Sequence, residues 1–292
     1  MSNASIRIEQ LMLPTYPEPG KEEMPLFSEH RVHQRSTGRP YPNKVTLEVN
    51  RERKIERSYT VVHLENEYLD VLVLPEIGGR IFAARDKVTD YDFFYRQHVI
   101  KPGLIGALGS WISGGVEFNW PYHHRPSGFL PCDFETEECG DGSVICWLSE
   151  HDPIDRMKGM VGIVLRPGCA YLETRVKLCN RTPVTKSFLW WENAAVPVNE
   201  SYQIFFPKDV TYVNFHYLDS RISYPNAGDA TFNGIDMTTA RDISWHKNTK
   251  DATSYFACAS QYDFFGGYDH GLDCGVVHIG DHHISPGKKM FT

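Results

Sequence analysis

Short runs of β-branched and apolar residues, most of them closed by Gly, Pro, Asp or Asn, follow one another along this chain, and no stretch keeps helical periodicity for three turns without Gly or Pro. Such a chain has to bury its apolar side chains by pairing strands. Runs at 59–64, 68–74 and 80–85 are separated by Glu65-Asn66-Glu67 and by Pro75-Glu76-Ile77-Gly78-Gly79, which reads as a meander. Within 172–178, Leu172, Val176 and Leu178 alternate with Glu173, Arg175 and Lys177, the period of two of a half-buried antiparallel strand. Its upstream partner is 160–165, across Arg166-Pro167-Gly168-Cys169, and similar runs recur at 143–148, 187–191, 255–259 and 275–279. With no βαβ alternation and no internal repeat, the expected fold is all-β, a large antiparallel β-sandwich rather than a Rossmann-like sheet or a propeller. Residues 14–43 are rich in Pro, Glu, Lys and Arg. The expected organisation is therefore an N-terminal extended arm over 1–43 and one sandwich domain over 44–292, without an obvious linker.

Composition narrows the partners. Hydrophobic residues make up 41% and aromatic residues 13% of the 292, ample for a packed core. Lys and Arg number 30 against 37 Asp and Glu, so the formal charge is 30 − 37 = −7. The one basic cluster, Arg51, Arg53, Lys54 and Arg57, is interleaved with Glu52 and Glu56. No stripe of the kind that displaces counterions from a polyphosphate is present, so a nucleic-acid partner is not expected. No apolar stretch approaches the roughly 18 residues of a membrane-spanning helix, and the N-terminus lacks a basic-then-apolar signal pattern. Seven cysteines form an odd set without a C-x-x-C pair. That speaks against a disulfide framework and a Cys-rich zinc site, and for reduced thiols in a cytoplasmic protein.

No G-x-S-x-G elbow, P-loop, G-x-G-x-x-G or H-E-x-x-H occurs, so hydrolase-fold, nucleotide-binding and zincin readings lose their usual support. Residues 111–126 instead concentrate Trp111, Glu117, Asn119, Trp120, Tyr122, His123, His124 and Arg125. A pyranose offers C–H faces to aromatic rings and hydroxyls to such polar groups, so the mixture suits a sugar site. Either Trp alone is more simply core, and Gly114-Gly115 a turn or bulge. The polar set together would need a complete internal hydrogen-bond network if it were buried without a ligand. A second constellation is Trp190-Trp191-Glu192-Asn193: on a strand the two rings face opposite ways, one to the core and one to a cleft. A third runs from Tyr262 to His270, with His278, Asp281, His282 and His283 beyond it. Asp269 sits there in a hairpin turn, and the histidine spacing matches no familiar closed metal site, so neither metal nor cofactor is expected.

At these residues the chain resembles the galactose mutarotase-like superfamily: Glu65 to Leu69 and Leu74-Pro75-Glu76-Ile77-Gly78-Gly79-Arg80-Ile81 are similar to its opening hairpins. Ile100-Lys101-Pro102, the 111–126 block, Lys158 to Gly162, Asn180-Arg181-Thr182, Trp190-Trp191 and Asp281 to Lys288 resemble one subgroup. That subgroup is a bacterial domain of unknown function often joined to tetratricopeptide repeats, and the likeness runs from about residue 25 to the end.

The resemblance implies a β-supersandwich with a sugar cleft on a concave side, and for the superfamily's epimerases a histidine acid paired with a carboxylate base. It points to His123 or His124 as acid and Glu117 as carboxylate. Trp111, Asn119, Trp120, Arg125, Trp190 or Trp191, Asn193, Asp269 and, more weakly, Arg80 would be substrate-binding. Gly114 to Pro121 is similar to a stretch of hexose-phosphate mutarotases, but Ser127-Gly128-Phe129 stands where those enzymes have His-Gly-Phe. The superfamily's catalytic Glu lies on a strand near its C-terminus, and this chain stops at Thr292, so a truncated and catalytically nearly silent piece is expected. Two functions remain open: a carbohydrate-active domain, epimerase-like or glycoside-processing, or a non-catalytic sugar-sensing or scaffold module. In the second, attached repeats would supply the protein partners.

Overall fold

All eleven residues of strand β1 (Ser5–Thr15) pair antiparallel with strand β2 (Ile55–Glu65), from Ser5 opposite Glu65 to Thr15 opposite Ile55. The sequence reading assigns these residues to an extended arm. The computed structural model makes them the edge of the main sheet, because Leu11 and Leu13 turn inward to the core formed by Tyr59, Val61, Leu74, Phe82, Ile100 and Ile112. It describes residues 3–20, 26–27, 40–41, 48–104, 109–121, 124–215, 220–227, 231–232, 235–236, 240–250 and 252–292. Most of the remaining arm falls outside the described residues.

The chain divides into two compact units, 1–195 and 196–292, where a single domain over 44–292 is expected from the sequence. In the first unit β3 (Leu69–Leu74), β4 (Arg80–Asp86) and β5 (Val116–Asn119) follow β2 in the main sheet. A second sheet is a four-strand meander: β6 (Asp133–Glu138), β7 (Val144–His151), β8 (Met157–Leu165) and β9 (Leu172–Asn180). Strand β10 (Trp191–Ala194) then returns to the main sheet, whose order is β1-β2-β3-β4-β5-β10, with Tyr91–Asp92 paired beside β4.

The two sheets pack face to face. Phe118 and Trp120 approach Leu148 and Val161 of the second sheet, and a Cβ at Gly159 would collide with the Trp120 indole. Gly159 is thus the position at which β8 makes room for a ring. A cavity of about 20 Å³ remains between Phe118, Trp120, Arg125, Leu148 and Val161, room for a water and not for a sugar. Because β2, β3 and β4 are covered on both faces, Val61, Val62, Leu64, Val71, Val73, Ile81 and Ala84 are all buried.

The second unit is built from β11 (Tyr202–Phe205), β12 (Tyr212–Phe215), β13 (Ser220–Ser223), β14 (Ser254–Ala257), β15 (Phe264–Asp269), β16 (Cys274–Ile279) and β17 (Lys288–Phe291). They form the sheets β11-β15-β16 and β13-β12-β14-β17. Phe206, Val213, Phe215, Ile243, Tyr255 and Met290 make its core. The fold is all-β and antiparallel. Helical turns among the described residues are confined to two short 3-10 segments, Pro126–Phe129 and His246–Asn248, and no helix is long and apolar enough to cross a membrane.

Candidate functional site

Antiparallel register places Arg80, Glu117 and Asn193 in one row across three strands. Glu117 on β5 is directly opposite Asn193 on β10, and Val116 is opposite Ile81 on β4, so one step further sets Glu117 across from Arg80. Side chains alternate along β5. Glu117 and Asn119 therefore share one face, while Phe118 and the adjoining Trp120 turn to the second sheet.

Glu117 is the hub of that face. Its Oε2 accepts the Trp111 indole N–H at 2.8 Å and lies 3.6 Å from Arg80 Nη2; its Oε1 accepts from Asn193 Nδ2 at 2.8 Å and lies 3.1 Å from His124 Nδ1. A carboxylate has about four acceptor positions, and four donors surround this one. Burial by itself pushes the Glu117 carboxyl up, but the close approach of His124, the charge of Arg80 and the Asn193 amide outweigh it and hold it at about 2. Burial pulls the Arg80 guanidinium down to about 10, with Glu117 opposing.

Arg80 is only 2% exposed, and its Nη1 donates to the carbonyls of Ile112 and Gly114 at 2.8 and 3.1 Å. That cradle depends on Gly114 and Gly115, both at positive φ (93° and 63°). A Cβ on Gly115 would strike the Ile81 carbonyl, so only glycine lets this turn lie against β4.

The His124 imidazole sits between two indoles. Its ring centroid is 4.8 Å from Trp191, tilted by 58°, and 6.1 Å from Trp111, edge-on at 73°. With Nδ1 facing Glu117, Nε2 is the ring atom left for a ligand. Asn119, opposite Trp191 in the register, is 2% exposed, and its Nδ2 has no hydrogen-bond partner among the described residues. The cluster thus offers two aromatic surfaces, an oriented imidazole and amide groups. As a general base Glu117 is weak, since a carboxylate held near 2 has little proton affinity at neutral pH.

The other sequence candidates fall elsewhere. Trp190 turns away from Trp191 and stacks on Phe118 at 6.2 Å and 17°. Trp120 is 4% exposed in the layer between the sheets. Arg125 donates to the Gly78 carbonyl and the Glu150 carboxylate, tying the β3–β4 turn to β7 rather than joining the Glu117 cluster. Asp269 belongs to the second unit, where it accepts from Asn199 Nδ2 at 2.6 Å and from the backbone N–H groups of Gly271 and Leu272, closing the β15–β16 hairpin. His123 lies outside the described residues. Sequence reasoning gave Arg80 little weight because its link to Glu117 exists only through cross-strand register. It missed Trp245 altogether, whose ring stacks on His270 at 5.0 Å in the second unit. No motif surrounds that Trp.

Residues 37–292 match the family model described as Domain of unknown function (DUF5107). Among solved structures, the chain is similar to a TPR-domain containing protein from Parabacteroides distasonis ATCC 8503, with a TM-score of 0.79 at 22% identity. The alignment covers 99% of this chain and 46% of that one, so the chain spans a little under half the length of that protein and shares its fold.

Proposed function

The chain belongs to the DUF5107 family, and we propose that its first unit is a carbohydrate-recognition module whose ligand lies against Trp111, His124 and Trp191. One observation carries this reading: Glu117 accepts from the Trp111 indole N–H and the Asn193 amide and faces His124 Nδ1 at 3.1 Å, beside two indole rings. Aromatic faces take the apolar side of a pyranose, and positioned imidazole and amide groups take its hydroxyls. The resemblance of the sequence to galactose mutarotase-like proteins supports the same ligand class. In this reading Glu117 is a positioning group rather than the catalytic base expected from the sequence, because Trp111 and Asn193 both donate to it and it is held at about 2. Recognition is therefore favoured over epimerisation. The TPR-containing neighbour supports the further proposal that the module works beside protein-binding repeats, and seven free thiols support a cytoplasmic setting.

Calorimetric titration with neutral hexoses, hexose phosphates and short oligosaccharides, run beside polarimetric anomerisation, tests this. At least one sugar should bind saturably without accelerated anomerisation, and His124→Ala should weaken it up to about tenfold, the roughly 0.5–1.5 kcal/mol of a hydrogen bond. No binding across the panel would overturn the carbohydrate reading. Acceleration lost in His124→Ala would replace recognition by catalysis.

A further inference from the structure

The second unit holds a group of side chains that the carbohydrate reading does not use. Asp281, His282 and His283 sit on the turn between β16 and β17, where the N–H groups of Ile284 and Ser285 both bond to the Asp281 carbonyl. One ligand atom from each of the three lies within 4.8 Å of the others. Asp263, from the segment before β15, completes the group: its Oδ1 is 2.7 Å from His282 Nδ1 and also accepts the His282 backbone N–H at 3.0 Å. Asp281 Oδ1 is likewise 2.9 Å from His283 Nδ1. The two imidazole rings lie against each other with centroids 3.9 Å apart.

Asp263 on His282 Nδ1 leaves Nε2 of that ring as its donor, whereas Asp281 Oδ1 and His283 Nδ1, 2.9 Å apart, stand side by side as two donor atoms. Ligating histidines are generally held as His282 is, the carboxylate setting tautomer and ring direction and raising the donor strength of the other nitrogen. Among the described residues Lys288 faces this group, its buried amine lying in the fields of Asp209 and Asp263. Against the carboxylates of Asp263 and Asp281 it leaves a net negative site.

We propose that Asp281, His282 and His283 bind a divalent first-row transition ion, zinc being the best fit, with Asp263 as the positioning residue for His282. Imidazole nitrogen and carboxylate oxygen without thiolate suit zinc, copper or nickel and disfavour magnesium and calcium. Three protein ligands leave a fourth position for water or a donor from another molecule. Zn–N bonds of about 2.0–2.1 Å put tetrahedral donors roughly 3.3 Å apart, a closure reached by rotation of side chains that are partly or largely exposed. The sequence offered no familiar spacing because all three ligands are consecutive in the chain and the orienting carboxylate comes from a different strand connection.

Titrating the untagged, metal-stripped chain with zinc chloride in a calorimeter tests the site, with cobalt(II) absorption as a second readout. One equivalent should bind saturably. His283→Gln should abolish that binding; His283 is 77% exposed, so the substitution leaves the fold intact. Asp263→Asn should weaken zinc by 10- to 100-fold, the usual effect of removing a carboxylate behind a ligating histidine. His151→Gln, at an exposed histidine of the first unit, should change nothing. Absence of saturable zinc uptake, or uptake that His283→Gln leaves unaltered, would overturn the proposal.

Discussion

Replacing Glu117 by Gln tests the physical core of the site. The substitution keeps size and one acceptor oxygen but turns the other acceptor into a donor, facing the Trp111 or Asn193 N–H, and leaves Arg80 buried without its counter-charge. Holding the carboxyl at about 2 instead of its ordinary 4.5 corresponds to about 3 kcal/mol of stability at neutral pH. Breaking one partner of a buried ion pair costs a similar ~3–5 kcal/mol. Glu117→Gln should therefore lose about 3 kcal/mol in urea unfolding at pH 7. Tryptophan fluorescence reports it well, because five of the six tryptophans belong to the first unit. Since the folded pKa is depressed, the stabilisation is complete above the unfolded value and is lost as pH falls through the folded one. The gap between wild type and variant should thus be flat at neutral pH and narrow from about 4.5 towards 2. A gap below about 1 kcal/mol, or one that stays constant down to pH 3, would refute the assignment of Glu117 as a charged hub.

Three other outcomes follow from the same structure. Gly115→Ala should cost at least about 2 kcal/mol in chemical denaturation, because a Cβ at φ 63° meets the Ile81 carbonyl and displaces the cradle under Arg80. His63 lies between Asp70 and Glu9 at 2.7 and 2.9 Å, and the Asp70 hydrogen bond holds its pKa above the ordinary value against the opposing effect of burial. His63→Gln should therefore lose on the order of 1–2 kcal/mol below pH 6.5, a difference that fades as pH rises through the raised folded pKa; a difference that grows towards alkaline pH would contradict it. The two neighbouring tryptophans should separate: Trp190→Ala, stacked on Phe118, should lower stability by about 1–3 kcal/mol and spare any sugar titration, whereas Trp191→Ala should abolish the titration.

Strand composition made the all-β antiparallel class legible, and the 160–178 hairpin was readable from alternation and its Pro-Gly turn. The β1 edge was not. Its inward pair, Leu11 and Leu13, lies next to the Pro-rich stretch that begins at Pro14, and local composition hides a strand whose partner is 50 residues away. The division into two units was equally hidden, since no Gly- or Pro-rich linker marks residue 195. Around the site, period two sends Trp190 and Trp191 to opposite faces as expected, whereas Trp120, grouped with Glu117 and Asn119 in the sequence, turns to the other face of the sheet because side chains alternate along that strand. Arg125 escaped it because the path after Pro121 leaves the strand, so its direction follows from tertiary bonds to Gly78 and Glu150. Arg80 needed the register of three strands, which no local pattern carries.

The most direct test of carbohydrate recognition is an NMR titration that follows the indole N–H resonances of Trp111 and Trp191 while mono- and oligosaccharides are added. Trp111 is the more informative probe, because its N–H is bonded to Glu117 at 2.8 Å and its ring stands edge-on to His124. Both resonances should move saturably with the same sugar, Trp245 of the second unit should stay in place, and the response should weaken in His124→Ala. Indole resonances of Trp111 and Trp191 that remain fixed with every sugar, in a protein whose fold is intact, would contradict the account.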